Sequence, residues 1–104
     1  MNAKDELLED LLNKPKVKCA KILTGNEWDE DEEKRQIPLK VNHTEEDWHT
    51  FLNNLNFTYD NGFGSQELFG ILWFEDGSWL ERYEYDGSEY WTHKTCPKIP
   101  AEII

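Results

Sequence analysis

Glu84 and Glu89 flank the dipeptide Asp86-Gly87 at positions that a two-residue hairpin turn sets directly across from one another. Paired carboxylates serve glycoside hydrolysis, one as acid and the other as nucleophile or base. With Glu81 and His93 in the same segment, a small carboxylate-dependent hydrolase is one reading of these residues. Against it, like charges placed across two strands repel unless a cation compensates them. Arg82 lies diagonal to Glu89, where it is expected to screen both carboxylates while they point to solvent, and to stack on Trp91. No Ser, Thr or Cys stands in a nucleophile elbow or a Cys-His signature, so nucleophilic hydrolysis has no anchor and a non-enzymatic role is expected.

The other chemistry-bearing residues are equally scattered. His43, His49 and His93 share no metal-binding spacing on one element and read as structural or surface histidines. Asp29, Asp31 and Glu33 alternate like the opening of a calcium loop, but Lys34 occupies the sixth position, where glycine is required, and Lys40 the twelfth, where glutamate is. Gly62-Phe63-Gly64 lacks a third glycine and the following helix of a phosphate cradle, so it reads as a turn. Cys19 and Cys96 are too few for a disulfide framework and too isolated for zinc, and are expected as free thiols. No cofactor and no metal is expected.

Charge says more about partners. The chain has 104 residues, 22 of them acidic against 11 basic, for a net charge of −11. That field repels phosphate backbones and attracts basic protein surfaces, so direct nucleic-acid binding is disfavoured. No apolar run is long enough to span a membrane and no secretory leader is evident, which makes the cytoplasm the expected compartment. The length suits a single domain, and 5 Trp, 4 Tyr and 5 Phe make its core aromatic.

These residues need elements to position them. Leu7, Leu8, Leu11 and Leu12 recur at helical spacing within residues 3–13, and Pro15 stops that helix. Residues 17–23 read as a strand. Residues 25–36 carry Asp29, Glu30, Asp31, Glu32 and Glu33 around a single anchor, Trp28, and are expected as an exposed, flexible acidic loop. The loop either solubilises the protein or mimics nucleic-acid charge in a basic groove of a partner. Ile37, Leu39 and Val41 alternate as a short strand that Pro38 confines to an edge or a strand start. Thr44 with Asp47 forms a capping box, after which Trp48, Phe51, Leu52 and Leu55 share one helical face.

Residues 68–95 hold three aromatic-rich runs separated by Asp76-Gly77 and Asp86-Gly87, a pair suited to two-residue type I′ turns. The prediction is a three-stranded meander with Glu75 opposite Ser78 and Tyr85 opposite Ser88. In that register Leu68, Leu72, Phe74, Trp79, Tyr83, Tyr85 and Tyr90 share one face, and Phe69, Ile71, Trp73, Leu80, Arg82, Glu84, Glu89, Trp91 and His93 the other. The fold class is α+β, an antiparallel sheet of about five strands packed with two helices. Two helices cover one sheet face, which leaves apolar surface for a partner or a second copy.

The run from Gln66-Glu67-Leu68-Phe69-Gly70-Ile71-Leu72-Trp73-Phe74 through Asp76-Gly77-Ser78-Trp79 and Glu81-Arg82, then Glu84-Tyr85-Asp86-Gly87-Ser88-Glu89-Tyr90-Trp91 and Cys96-Pro97, resembles small uncharacterised acidic proteins found in tailed-bacteriophage genomes. The likeness covers the last half of the chain, from Tyr59 onward, and brings no catalytic residues with it. It implies a protein acting inside an infected bacterial cell, where short acidic accessory proteins bind and inhibit or redirect a host enzyme. The expected function is binding of a host protein with a basic surface, through Trp28, Asp29, Glu30, Asp31, Glu32, Glu33, Trp73, Arg82, Glu84, Glu89 and Trp91. The alternative is a homodimeric assembly module closed by the spare sheet face.

Overall fold

The computed structural model describes residues 1–25, 35–60, 62 and 66–103 of the chain. Its elements run α1 (Ala3–Leu11), β1 (Val17–Thr24), β2 (Arg35–Leu39), α2 (Glu45–Asn54), β3 (Leu68–Phe74), β4 (Trp79–Tyr85), β5 (Ser88–Lys94) and a short 3-10 helix, Ala101–Ile103. All strand pairings are antiparallel in one sheet of order β2-β1-β3-β4-β5. Both α-helices pack on the same face, which is the α+β arrangement expected from the hydrophobic patterning.

The helices form for local reasons that the sequence carries. Thr44 Oγ1 accepts the Asp47 N–H at 3.1 Å while Asp47 Oδ2 accepts the Thr44 N–H at 3.0 Å, the reciprocal pair of a capping box. Of the predicted α2 stripe, Phe51 and Leu55 are fully buried and Trp48 and Leu52 pack beside them. Helix α1 departs from its predicted stripe. Leu7 is buried, but Leu8 and Leu12 are exposed, and the inward positions are Ala3, Glu6 and Leu7. A carboxylate holds a core position there because an arginine meets it from the sheet.

The chain start is pinned across the sheet by the segment after α2. Ala3 N–H donates to Phe57 O and Tyr59 N–H to Met1 O, both at 2.9 Å, and Asn2 bridges Thr58. Strand β2 begins at Arg35, inside the span read as acidic loop, and ends at Leu39, leaving Val41 exposed in a turn. The acidic residues 29–33 and Trp28 lie outside the described residues.

The two hairpins of the meander are built differently. Asp86 and Gly87 both have positive φ, 51° and 85°, so the second is a type I′ turn with Tyr85 opposite Ser88 and Glu84 opposite Glu89, as predicted. The first is not. Only Gly77 has positive φ, 89°, and Phe74 N–H donates to Ser78 O at 2.9 Å, which leaves Glu75, Asp76 and Gly77 in a three-residue loop. Within it, Asp76 Oδ1 accepts the Ser78 N–H at 2.9 Å, an Asx-type turn that stands in place of the type I′ turn.

That extra loop residue shifts the register by one, pairing Leu72 with Leu80 and Trp73 with Trp79. A one-residue shift moves every side chain of β3 to the other face. Leu68, Leu72 and Phe74 therefore join Leu80, Arg82, Glu89 and Trp91 beneath the helices, together with Ala20, Ile22, Ile37 and Leu39. The opposite face receives Phe69, Ile71, Trp73, Trp79, Tyr83, Tyr85 and Tyr90. The apolar surplus that the sequence spread over both faces is thus sorted into one core and one aromatic surface.

Candidate functional site

The aromatic surface is laid out by cross-strand pairs. Trp73 on β3 stands between Cys19 on β1 and Trp79 on β4, and Ile71 between Lys21 and Glu81. Tyr83 and Tyr90 face each other across β4 and β5 with ring centroids 5.6 Å apart. Trp79 Nε1 donates to Glu81 Oε1 at 3.3 Å, which ties the indole to the carboxylate two residues on. Relative exposure is 37% for Trp73, 49% for Tyr83, 69% for Tyr85 and 44% for Tyr90. At roughly 200 Å² per ring these four alone present about 400 Å² to solvent.

The largest apolar patch on a monomer is commonly about 300–600 Å² and is often functional, and this surface falls in that range. Among the described residues the hydrophobic cluster lies wholly on the other face of the sheet. Along the strands this face carries Lys18, Lys21, Lys94 and Glu81, while Asp5, Glu9, Glu45, Glu46 and Asp47 ride on the helices. At one end Lys18, Cys19, Trp73, Phe74, Glu75 and Gly77 line an open hollow of about 290 Å³. Its lining includes the half-buried Cys19 thiol and the Trp73 indole.

Beneath the helices the carboxylates have been spent on packing. Arg82, whose side chain is fully buried, donates from Nη1 to Glu6 Oε1 at 3.0 Å and from Nη2 to Glu89 Oε1 at 2.6 Å. Its Nη2 also lies 2.9 Å from Tyr59 Oη, and that phenol donates in turn to Glu6. Burial, and then the hydrogen bond to Glu6, push the Tyr59 phenol well above its ordinary range. Glu89 further accepts the backbone N–H groups of Glu67 and Leu68, at 2.8 and 3.0 Å. The guanidinium sits 5.0 Å from the Trp91 ring centroid, which confirms the predicted stacking.

This corrects the reading of Arg82 as a surface screen. Arg82, Glu89 and Trp91 are buried in the monomer and hold α1 to β4 and β5, so they offer nothing to a docking partner. Glu84 does reach solvent, where it accepts the Gly87 N–H at 2.7 Å and caps the turn. Although Glu84 and Glu89 are paired across the strands, one is an exposed turn cap and the other a buried ion-pair partner. Glu81 lies on the opposite face from both, and His93 packs edge-on to Phe74. Of the residues expected to bind a partner, Trp73 and Glu84 are exposed, and Trp28 and residues 29–33 lie outside the description.

Two features escaped the sequence reading. Glu6 and Tyr59 complete the arginine network, and the signal for Glu6 was its place in the Ala3, Leu7, Leu11 stripe. Tyr59 carried none, because only the pairing of the chain start with residues 57–59 brings it there. No group of three or more His, Cys, Asp or Glu positioned for a metal occurs among the described residues, and no helix there is long and apolar enough to cross a membrane. Comparison with known proteins finds no family model, curated protein or solved structure that matches the chain.

Proposed function

We propose that this protein is a binding module whose aromatic sheet face docks on another protein. The observation that supports the reading is the aromatic face itself: Phe69, Trp73, Trp79, Tyr83, Tyr85 and Tyr90 on one side of a sheet whose other side carries the core cluster of the described residues. Tyrosine and tryptophan are the residues that dominate binding energy at protein interfaces, since they bury much area at little conformational cost. The acidic helices and the net charge of −11 favour a partner with a basic rim around an apolar patch and steer its approach. In this reading the protein is a phage accessory factor acting on a host protein in the bacterial cytoplasm.

Affinity capture from a bacterial lysate, with the wild type and a Trp73→Ser, Tyr83→Ser double variant, tests it. A protein retained by the wild type at moderate salt and lost by the variant is the expected result. Recovery of nothing specific at low salt, or equal recovery by both, overturns the reading.

A further inference from the structure

We propose that the aromatic face receives an arginine side chain of the partner protein, seated on Glu81. The proposal rests on the docking reading above and names the chemistry of its contact. Glu81 stands at the middle of the face, with Trp79 and Tyr83 two residues to either side of it on β4, about 7 Å along the strand. Ile71 on β3 and Thr92 on β5 are its cross-strand neighbours, and all three of these residues are half-buried. Trp73 and Tyr90 take the diagonal positions, opposite Trp79 and Tyr83. A carboxylate is thereby surrounded by four aromatic side chains.

Among the described residues Glu81 has no cation partner, since none of the ion pairs there includes it. Its Oε1 accepts the Trp79 indole N–H at 3.3 Å, a neutral donor. Directly opposite on β5, the Thr92 hydroxyl oxygen is buried without a hydrogen-bond partner among those residues. A half-buried carboxylate beside an unpartnered hydroxyl favours a ligand that brings positive charge and several N–H donors.

The interior of the same molecule shows what such a setting holds. Arg82 lies between the Glu6 and Glu89 carboxylates, with its guanidinium 5.8 Å from the Tyr59 ring centroid and 5.0 Å from that of Trp91. Glu81 with Trp79, Tyr83 and Thr92 offers the same combination of carboxylate, rings and hydroxyl on the outside. The chain's own two arginines are engaged elsewhere, Arg82 in that network and Arg35 over Phe57. Arginine suits the place better than lysine, because a guanidinium is planar, weakly hydrated and able to stack on a ring while forking onto a carboxylate. Lys18, Lys21 and Lys94 share the face, but they are exposed and screened by water and salt, whereas Glu81 is half-buried. The net charge of −11 draws a basic partner toward the molecule as a whole.

The probe is an acetylated Gly-Arg-Gly amide tripeptide, titrated into the full chain and followed by nuclear magnetic resonance at the Trp79 indole N–H and the Tyr83 and Tyr90 rings. Matching tripeptides carrying lysine, or citrulline as the neutral isostere of arginine, are titrated alongside. The expected result is saturable binding of the arginine peptide with a Kd of about 1 mM, binding of the lysine peptide weaker by about threefold or more, and no saturation with citrulline. Glu81→Gln removes the charge yet keeps an oxygen for the Trp79 N–H, and should weaken the arginine peptide about tenfold. Glu102→Gln makes the same change in net charge from the exposed 3-10 helix and should leave binding within about twofold.

Absence of saturation by the arginine peptide overturns the proposal, as does equal binding of the citrulline or lysine peptide, or arginine binding that Glu81→Gln leaves unchanged. The peptide comparison on the wild type needs no variant, so it decides even if Glu81→Gln fails to fold. A lysate protein retained equally by the wild type and Glu81→Gln, but lost by the Trp73→Ser, Tyr83→Ser double variant, leaves the docking reading in place and sinks the arginine assignment. Arginine-peptide binding that depends on Glu81, with no protein recovered from lysate, does the reverse.

Discussion

Arg82 joins three elements of the interior. It is set among Glu6, Glu89 and Tyr59, and two backbone N–H groups also donate to Glu89. Breaking a buried ion pair by removing one partner is far more costly than the pair is stabilising, because the remaining charge is left without solvent. Arg82→Met is therefore expected to lower unfolding free energy by about 3–5 kcal/mol in urea denaturation, although methionine fills much of the space. Tyr59 makes the same network sensitive to alkali. Its folded-state pKa is raised above the ordinary 10.0, so its contribution is fully present below pH 10.0 and is lost as pH rises beyond that toward the folded value. Denaturation midpoints measured through that window should fall for the wild type, and Tyr59→Phe should flatten the decline.

Secondary structure rests on a few backbone positions that tolerate little change. Gly70 lies in β3 against β1 with φ of +140°, and a Cβ there falls 2.3 Å from Lys21 O and 2.8 Å from Ile22 Cα. Gly77, at φ +89°, has nothing within 4 Å of that position. The pair separates two causes of glycine dependence. Gly77→Ala should cost about 1–2 kcal/mol, the strain of a left-handed alanine alone. Gly70→Ala adds a collision with rigid backbone and should cost about 1–3 kcal/mol more, read as a larger drop in thermal midpoint. At the same scale, Asp76-Gly77-Ser78 and Asp86-Gly87-Ser88 repeat the same three residues but form different turns: Asp76 accepts from Ser78 in the first hairpin, whereas in the second Gly87 donates to Glu84, so the tripeptide by itself did not distinguish them.

Across the whole molecule, one sheet face carries the core and the other the rings, and the two should answer differently to mutation. Trp73→Ser with Tyr83→Ser removes two rings of the aromatic face and their cross-strand contacts with Trp79 and Tyr90. Unfolding free energy should therefore fall by only about 1–2 kcal/mol, while binding of an apolar dye and capture of a partner both decline. Loss of stability on the scale expected for Arg82→Met would instead assign those rings to the core.

Hydrophobic and capping patterns are local, and what depends on them was readable from the residues: the α+β class, the Thr44-Asp47 capping box, the Phe51 and Leu55 face and the type I′ turn at Asp86-Gly87. The α1 stripe was readable only in part, since its inward carboxylate is tolerated because Arg82 lies 76 residues away in sequence and 3.0 Å away in space. The division of the sheet into a sealed face and an open one belonged to the tertiary structure. It turns on a single extra loop residue in the first hairpin, and alternation along a strand carries that shift to every side chain of β3. Periodicity states which residues lie together on a face, but only the packed molecule states which face the helices cover.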